Sequence, residues 1–128
     1  MSKVSNKQIL EINQALRYIA SQDTEAWYQI GRNIKKVEPI VTELSDSRQS
    51  IISKFVKKDA DGNWLHKDEA KTQWDLGDDQ AKADELWEET QKEERTVEFF
   101  TFGYEVLAST KLNPQAVTPL LDTVIVEK

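Results

Sequence analysis

Nine residues in the middle of this chain repeat at alternating spacings of three and four: Trp27, Ile30, Ile34, Val37, Val41, Leu44, Arg48, Ile51 and Phe55. Only Arg48 interrupts the apolar set. Such a pattern places the nine side chains on one stripe of a long helix, and that stripe must be covered by something. Pro39 lies inside it. A proline there removes one intrahelical hydrogen bond and crowds the preceding turn. The phase continues unbroken across Pro39, which predicts one kinked helix rather than two helices meeting near Glu38. A shorter stripe of Ile9, Ile12, Leu16 and Ile19 predicts a first helix over 6–21, capped by Ser5 or Asn6. Asp23 or Thr24 is placed to cap the second. An antiparallel pairing of the two would bury half of the long seam, so the remainder must meet the C-terminal part or a second subunit.

Past the seam the pattern changes. Phe55 and Val56 precede Asp61-Gly62, and Trp64 and Leu65 follow it, which predicts a tight turn between short strands. Residues 67–79 read as loop. A third helix begins at Asp78 or Asp79 and shows Ala83, Leu86, Trp87 and Thr90 on its short apolar face. TVEFFTFGYEVL, 96–107, is crowded with aromatic and β-branched residues and is the one convincing strand. Its side chains are apolar on both faces, as in a strand that is sandwiched or lies at an interface. Asn113-Pro114 marks the start of a last helix, with Val117, Leu120, Leu121 and Val124 facing inward and Pro119 keeping it short.

With 128 residues and no cysteine, the chain fits one domain (1–58 helical hairpin, 59–95 acidic loop and helix, 96–128 strand and short helix). Lack of cysteine removes disulfide scaffolds, thiolate metal sites and cysteine nucleophiles. No apolar run approaches the roughly 20 residues of a membrane span, and the first residues carry no signal-peptide core, so a cytoplasmic protein is expected. Net charge is −6 and unevenly placed. Residues 1–58 hold ten basic and six acidic side chains, net +4, while 59–98 hold five basic and fourteen acidic, net −9. The second segment repels phosphate backbones and attracts basic partners.

KKDADGNW, 57–64, is the nearest thing to a chemical motif. With Asp59 at the first position of a calcium loop, Asp61 and Asn63 fall at the third and fifth ligand positions. Trp64 then stands where the sharp turn needs glycine, Ala70 where the closing glutamate belongs, and Lys67 at another ligand position. The stretch therefore reads as a polar turn, not a metal site. His66 is the single histidine and has no partner by spacing, so it reads as an exposed loop residue. Asp78-Asp79, Glu88-Glu89 and Glu93-Glu94 are adjacent pairs that do not face one another, and Glu85 with Glu89 reads as a solvated helix face. No catalytic residue, metal ligand or cofactor is assigned. Arg32, Lys35 and Lys36 flank Tyr28, yet the acidic balance disfavours nucleic acid. Trp27 opens the seam and is expected in the core.

FVKKDADGNW after a helical hairpin, then TQKEERTVEFFTFGYEVL, then LNPQAVTPLLDTVI closing on Val124-Ile125-Val126-Glu127, resembles a family of small tailed-phage and prophage proteins of unknown function. The likeness covers most of the chain and carries no catalytic residues to transfer. It implies an accessory, assembly or host-interaction role, in the host cytoplasm or on the virion.

The expectation is an α+β domain, predominantly helical. A long kinked N-terminal helical hairpin packs with a small antiparallel β element, drawn from 53–56, 63–66 and 96–102, and a short C-terminal helix. The expected function is non-enzymatic protein–protein interaction, as a homo-oligomer or on a phage or host protein. Candidate interface residues are Trp64, Trp74, Trp87, Phe100, Phe102 and Tyr104. The alternative is an acidic inhibitor or mimic that blocks a nucleic-acid-binding host protein.

Overall fold

Ser5 opens the first helix, α1 (Asn6–Ala20), through a reciprocal cap: its Oγ accepts from the Gln8 N–H at 3.1 Å, and Gln8 Oε1 accepts from the Ser5 N–H at 2.8 Å. Two otherwise orphaned donors at the helix start are thereby satisfied. Ile9, Ile12, Leu16 and Ile19 form the buried face that their spacing predicts. A computed structural model describes residues 2–70, 73–108 and 110–126. The second helix, α2 (Trp27–Phe55), runs without interruption through Pro39. The chain gathers into two units, one of residues 1–42 with 93–128 and one of 43–92, so α2 contributes to both.

In the first unit α1 and the start of α2 form a helical hairpin, with Ile30 and Val37 in one cluster with the α1 stripe. Each fully buried aliphatic side chain contributes about 1.5–3 kcal/mol by its removal from water. The inward positions at the start of α2 are Ala26, Ile30, Asn33 and Val37, not Trp27, Ile30, Ile34 and Val37. Ala26 and Asn33 are wholly buried, Ile34 is half-buried, and Trp27 is 71% exposed. The expected core role of Trp27 is thus corrected. The buried stripe is turned by one residue at those two turns, because Asn33 is drawn inward to a backbone partner.

That partner is Phe100. Asn33 Nδ2 donates to the Phe100 carbonyl at 2.8 Å and to the Gln29 carbonyl at 2.9 Å, while Asn33 Oδ1 accepts from the Phe100 N–H at 2.8 Å. The side-chain amide closes both backbone bonds of one residue, as a neighbouring strand would. The strand expected over 96–107 is accordingly divided. Strand β2 (Glu94–Val97) pairs antiparallel with an N-terminal strand, β1 (Ser2–Ser5), in the register Ser2 to Val97 and Ser5 to Glu94. Strand β3 (Phe102–Gly103) pairs parallel with β4 (Ile125–Val126), and Tyr104–Leu107 forms a 3-10 turn. Val97, Phe99, Phe102 and Leu107 all reach the hydrophobic core. The antiparallel element therefore uses Ser2–Ser5 in place of 53–56 and 63–66. Phe55 remains helical, and 63–66 makes only isolated bridges, Lys58 with Trp64 and His66 with Trp74.

Asn6, the other buried polar residue among those described, meets the same segment at β2. Its Oδ1 accepts from Arg95 Nε at 2.7 Å, and the Asn6 backbone N–H donates to the Glu93 carbonyl at 2.8 Å. The C-terminal helix, α4 (Pro114–Val117), starts as predicted, with Asn113 Oδ1 accepting from the Gln115 N–H at 3.0 Å. A 3-10 turn, Thr118–Leu120, continues it and absorbs Pro119. Leu120 and Val124 are fully buried, but Leu121 is exposed, because the backbone becomes extended at Leu121 and abandons the helical phase.

In the second unit Ile51, Ile52 and Phe55 of α2 pack with Val56, Leu76 and the half-buried Trp64 and Trp74. Ala83, on the third helix, α3 (Gln80–Lys92), joins the same cluster. This half of the seam thus meets the acidic loop and helix that follow it, rather than the C-terminal part.

Replacing Asn33 by Ala leaves the Phe100 N–H and carbonyl without their partner, and should lower stability by about 2–4 kcal/mol in urea titration. A loss below about 1 kcal/mol would mean that water replaces the amide there.

Candidate functional site

The first turn of α2 and the segment held by Asn33 together build an aromatic cluster on the surface of the first unit. Tyr28 and Arg32 are four residues apart and so share a helix face. Because Phe99 and Phe102 turn into the core, Phe100 between them faces this side. Its ring stands edge-on to Tyr28 at 6.2 Å, and Tyr28 stands edge-on to Trp27 at 5.9 Å. The Arg32 guanidinium lies 4.6 Å from the Phe100 ring centre and 5.8 Å from that of Tyr28. These are favourable quadrupolar and cation–π geometries. Yet the group remains open to solvent: Trp27 is 71% and Tyr28 51% exposed. Three aromatic rings in contact and an arginine make a contiguous patch rather than scattered apolar residues.

The KKDADGNW stretch of the second unit folds as a turn. The Gly62 N–H donates to the Asp59 carbonyl at 3.0 Å, and the Asp59 N–H to the Asn63 carbonyl at 2.9 Å. Gly62 has φ +83°, a conformation costly for any residue with a Cβ. Asp59 Oδ1 accepts from the N–H groups of Asp61 and Asn63, both at 2.9 Å. This carboxylate is committed to bracing the turn, a use of aspartate typical of tight turns.

Backbone bonds then carry the chain into two further rungs, Leu65 to Lys57 and Lys67 to Gln73, each 2.8 Å. They align three rings. Trp64 meets Trp74 edge-to-face at 5.1 Å, and His66 stacks on Trp74 at 4.3 Å and 24°. His66 is thereby half-buried against an indole, which corrects its reading as a merely exposed residue. Beside this stack is a cleft of about 440 Å³ lined by residues of α2, the loop and α3, among them Arg48, Lys67, Trp74, Leu76, Asp84 and Trp87. Arg48, the one charged residue of the seam, lies with its guanidinium 5.6 Å from the Trp87 ring centre.

Of the residues expected at an interface, Trp74 and Trp87 line this cleft and Trp64 supports it from the apolar cluster. Phe100 belongs to the surface cluster and Tyr104 is 69% exposed. Phe102 is only 3% exposed and is reassigned to the core, since its backbone pairs with β4 and its side chain joins the α1 cluster. Sequence reading missed Trp27 as a surface residue and the approach of Phe100 to Tyr28, although the Tyr28–Arg32 spacing was visible. It also gave Arg48 no role, although a charge inside an apolar repeat is a legible signal. Comparison of the chain with protein families, with curated proteins and with solved structures finds no match.

Calcium added at millimolar concentration should leave the melting temperature unchanged, because Asp59 serves the turn; a saturable rise would show a metal site. Asp59→Ala should cost about 1 kcal/mol through loss of the turn bonds, measured by thermal unfolding.

Proposed function

We propose that this chain is a non-enzymatic protein-interaction module, working by self-association or by docking on a phage or host protein. The observation that carries the reading is the exposed Trp27–Tyr28–Arg32–Phe100 cluster. Tryptophan, tyrosine and arginine are the residue types most enriched at energetic centres of interfaces. Here they stand pre-ordered by contacts with one another, so little side-chain freedom remains to be lost on binding. The long seam no longer supports self-association, since each of its halves packs within its own unit. A phage or prophage accessory role in the host cytoplasm is part of the proposal and rests on the resemblance of KKDADGNW and the segments around it. Among the described residues no helix is long and apolar enough to cross a membrane.

A second reading, an acidic mimic that blocks a nucleic-acid-binding protein, is favoured by the charge of residues 59–98. Glu85, Glu88 and Glu89 of α3 are exposed along one stretch of helix. Ionic strength separates the two. Binding by mimicry should weaken steeply as salt rises, whereas the aromatic cluster should respond little.

The direct test pairs wild type with the Trp27→Ser, Tyr28→Ser double variant. Both side chains are largely solvated, so the melting temperature should move by no more than a few degrees. Sedimentation at increasing concentration should show wild type associating and the variant monomeric. Where the partner is another protein, affinity should fall about thirtyfold or more, the loss of a central interface residue. A wild type that stays monomeric, together with no crosslink from a photoreactive residue at position 27 in the host cell, would remove the reading.

A further inference from the structure

The cleft of the second unit combines features that the aromatic cluster of the first does not explain. Arg48 sits at a seam position where an aliphatic residue would extend the wall made by Ile51, Ile52 and Leu76. Instead the position carries a cation whose guanidinium carbon lies 5.6 Å from the Trp87 ring centre. Lys67 is the second cation of the lining. Both occur within or beside a segment of net charge −9, so an open cleft here would be expected to gather carboxylates. Only one lines it, Asp84, and that carboxylate accepts from Gln80 Nε2 at 2.9 Å on its own helix. Neither Arg48 nor Lys67 takes part in the ion pairs seen among the described residues, such as Lys3 with Glu94 and Lys82 with Asp79. The cleft lining therefore combines two cations and one carboxylate with the indoles of Trp74 and Trp87 and the apolar side chains of Ile51, Ile52, Leu76 and Ala83. Its volume lies within the range of small-ligand sites, roughly 300–1,000 Å³.

We propose that this cleft binds a small flat aromatic anion: a ring carrying one carboxylate or phosphate. The ring packs on the indoles of Trp74 and Trp87, and the anionic group meets Arg48 and Lys67. A guanidinium can donate two parallel N–H bonds to a carboxylate or phosphate, and Arg48 is exposed at the cleft with its guanidinium near the Trp87 ring. The site is separate from the interaction surface at Trp27, and its failure would leave that reading untouched.

The test is an NMR titration of the full chain, following the indole N–H signals of the four tryptophans. The probes are 2-naphthoate, 2-naphthyl phosphate, neutral 2-naphthalenemethanol and the 2-naphthylmethylammonium cation. The proposal expects saturable shifts of Trp74 and Trp87, with Trp27 unmoved, and at least one anion bound about tenfold or more tighter than the alcohol. The stronger of the two anions tells carboxylate from phosphate. Arg48→Leu should remove the preference for anions while leaving the melting temperature equal or higher, since the wall then gains an aliphatic side chain. Three results would overturn the proposal: no saturable shift with either anion, equal binding of the alcohol, or an Arg48→Leu variant that folds and retains the preference.

Discussion

The amide of Asn33 is the constraint around which the first unit is arranged. A part-buried backbone N–H and carbonyl need partners, and at Phe100 a helix side chain supplies both. Sheet pairing breaks off on either side of this point. Before it the chain pairs with the N-terminal strand, and after it with the C-terminal one. The clamp also decides where the aromatic residues go. Phe99 and Phe102 fall into the core, and Phe100 is left to meet Tyr28 and Arg32. Asn6 meets the preceding residues of this segment, its Oδ1 accepting from Arg95 Nε and its backbone N–H donating to the Glu93 carbonyl. Buried polar groups of this kind specify one arrangement because every alternative leaves them unpaired.

The long seam of α2 is satisfied differently along its length. Its first half packs with α1, and its second with the loop and helix drawn from 56–83. The acidic segment is thus more than a solvated appendage. It carries the apolar residues that cover α2, and its carboxylates are the outer side of that cover. Arg48, the one charged residue in the seam, lines the cleft beside Trp87, and the apolar repeat resumes at Ile51 and Phe55.

Both halves of the seam have apolar neighbours within their own units. An unpaired apolar stripe would have demanded a second subunit. A stripe covered within its own unit makes no such demand, and the exposed rings at the start of α2 are what the proposed interaction rests on. The two constellations, rings with one arginine at the start of α2 and indoles with two cations in the cleft, suit ligands of different size. The first leaves Trp27 and Tyr28 largely exposed, while the second lines a cleft of about 440 Å³.

Much of the helical architecture was legible in the sequence. The stripe of α1, the length of α2, the Ser5 and Asn113 caps and the Asp61-Gly62 turn all depend on residues within a few positions of one another. Local hydrogen bonding and helical periodicity act over that range, and a single sequence displays it directly. Only the tertiary structure decided the pairing of Ser2–Ser5 with Glu94–Val97, the burial of Asn6 and Asn33, the inward turn of Phe102 and the meeting of Phe100 with Tyr28. Asparagine reads as a surface residue until a distant backbone group needs its amide. Strand partners some ninety residues apart leave no periodic trace. Those choices were made by the need to pair buried polar groups across the core, a condition that exists only once the chain has closed on itself.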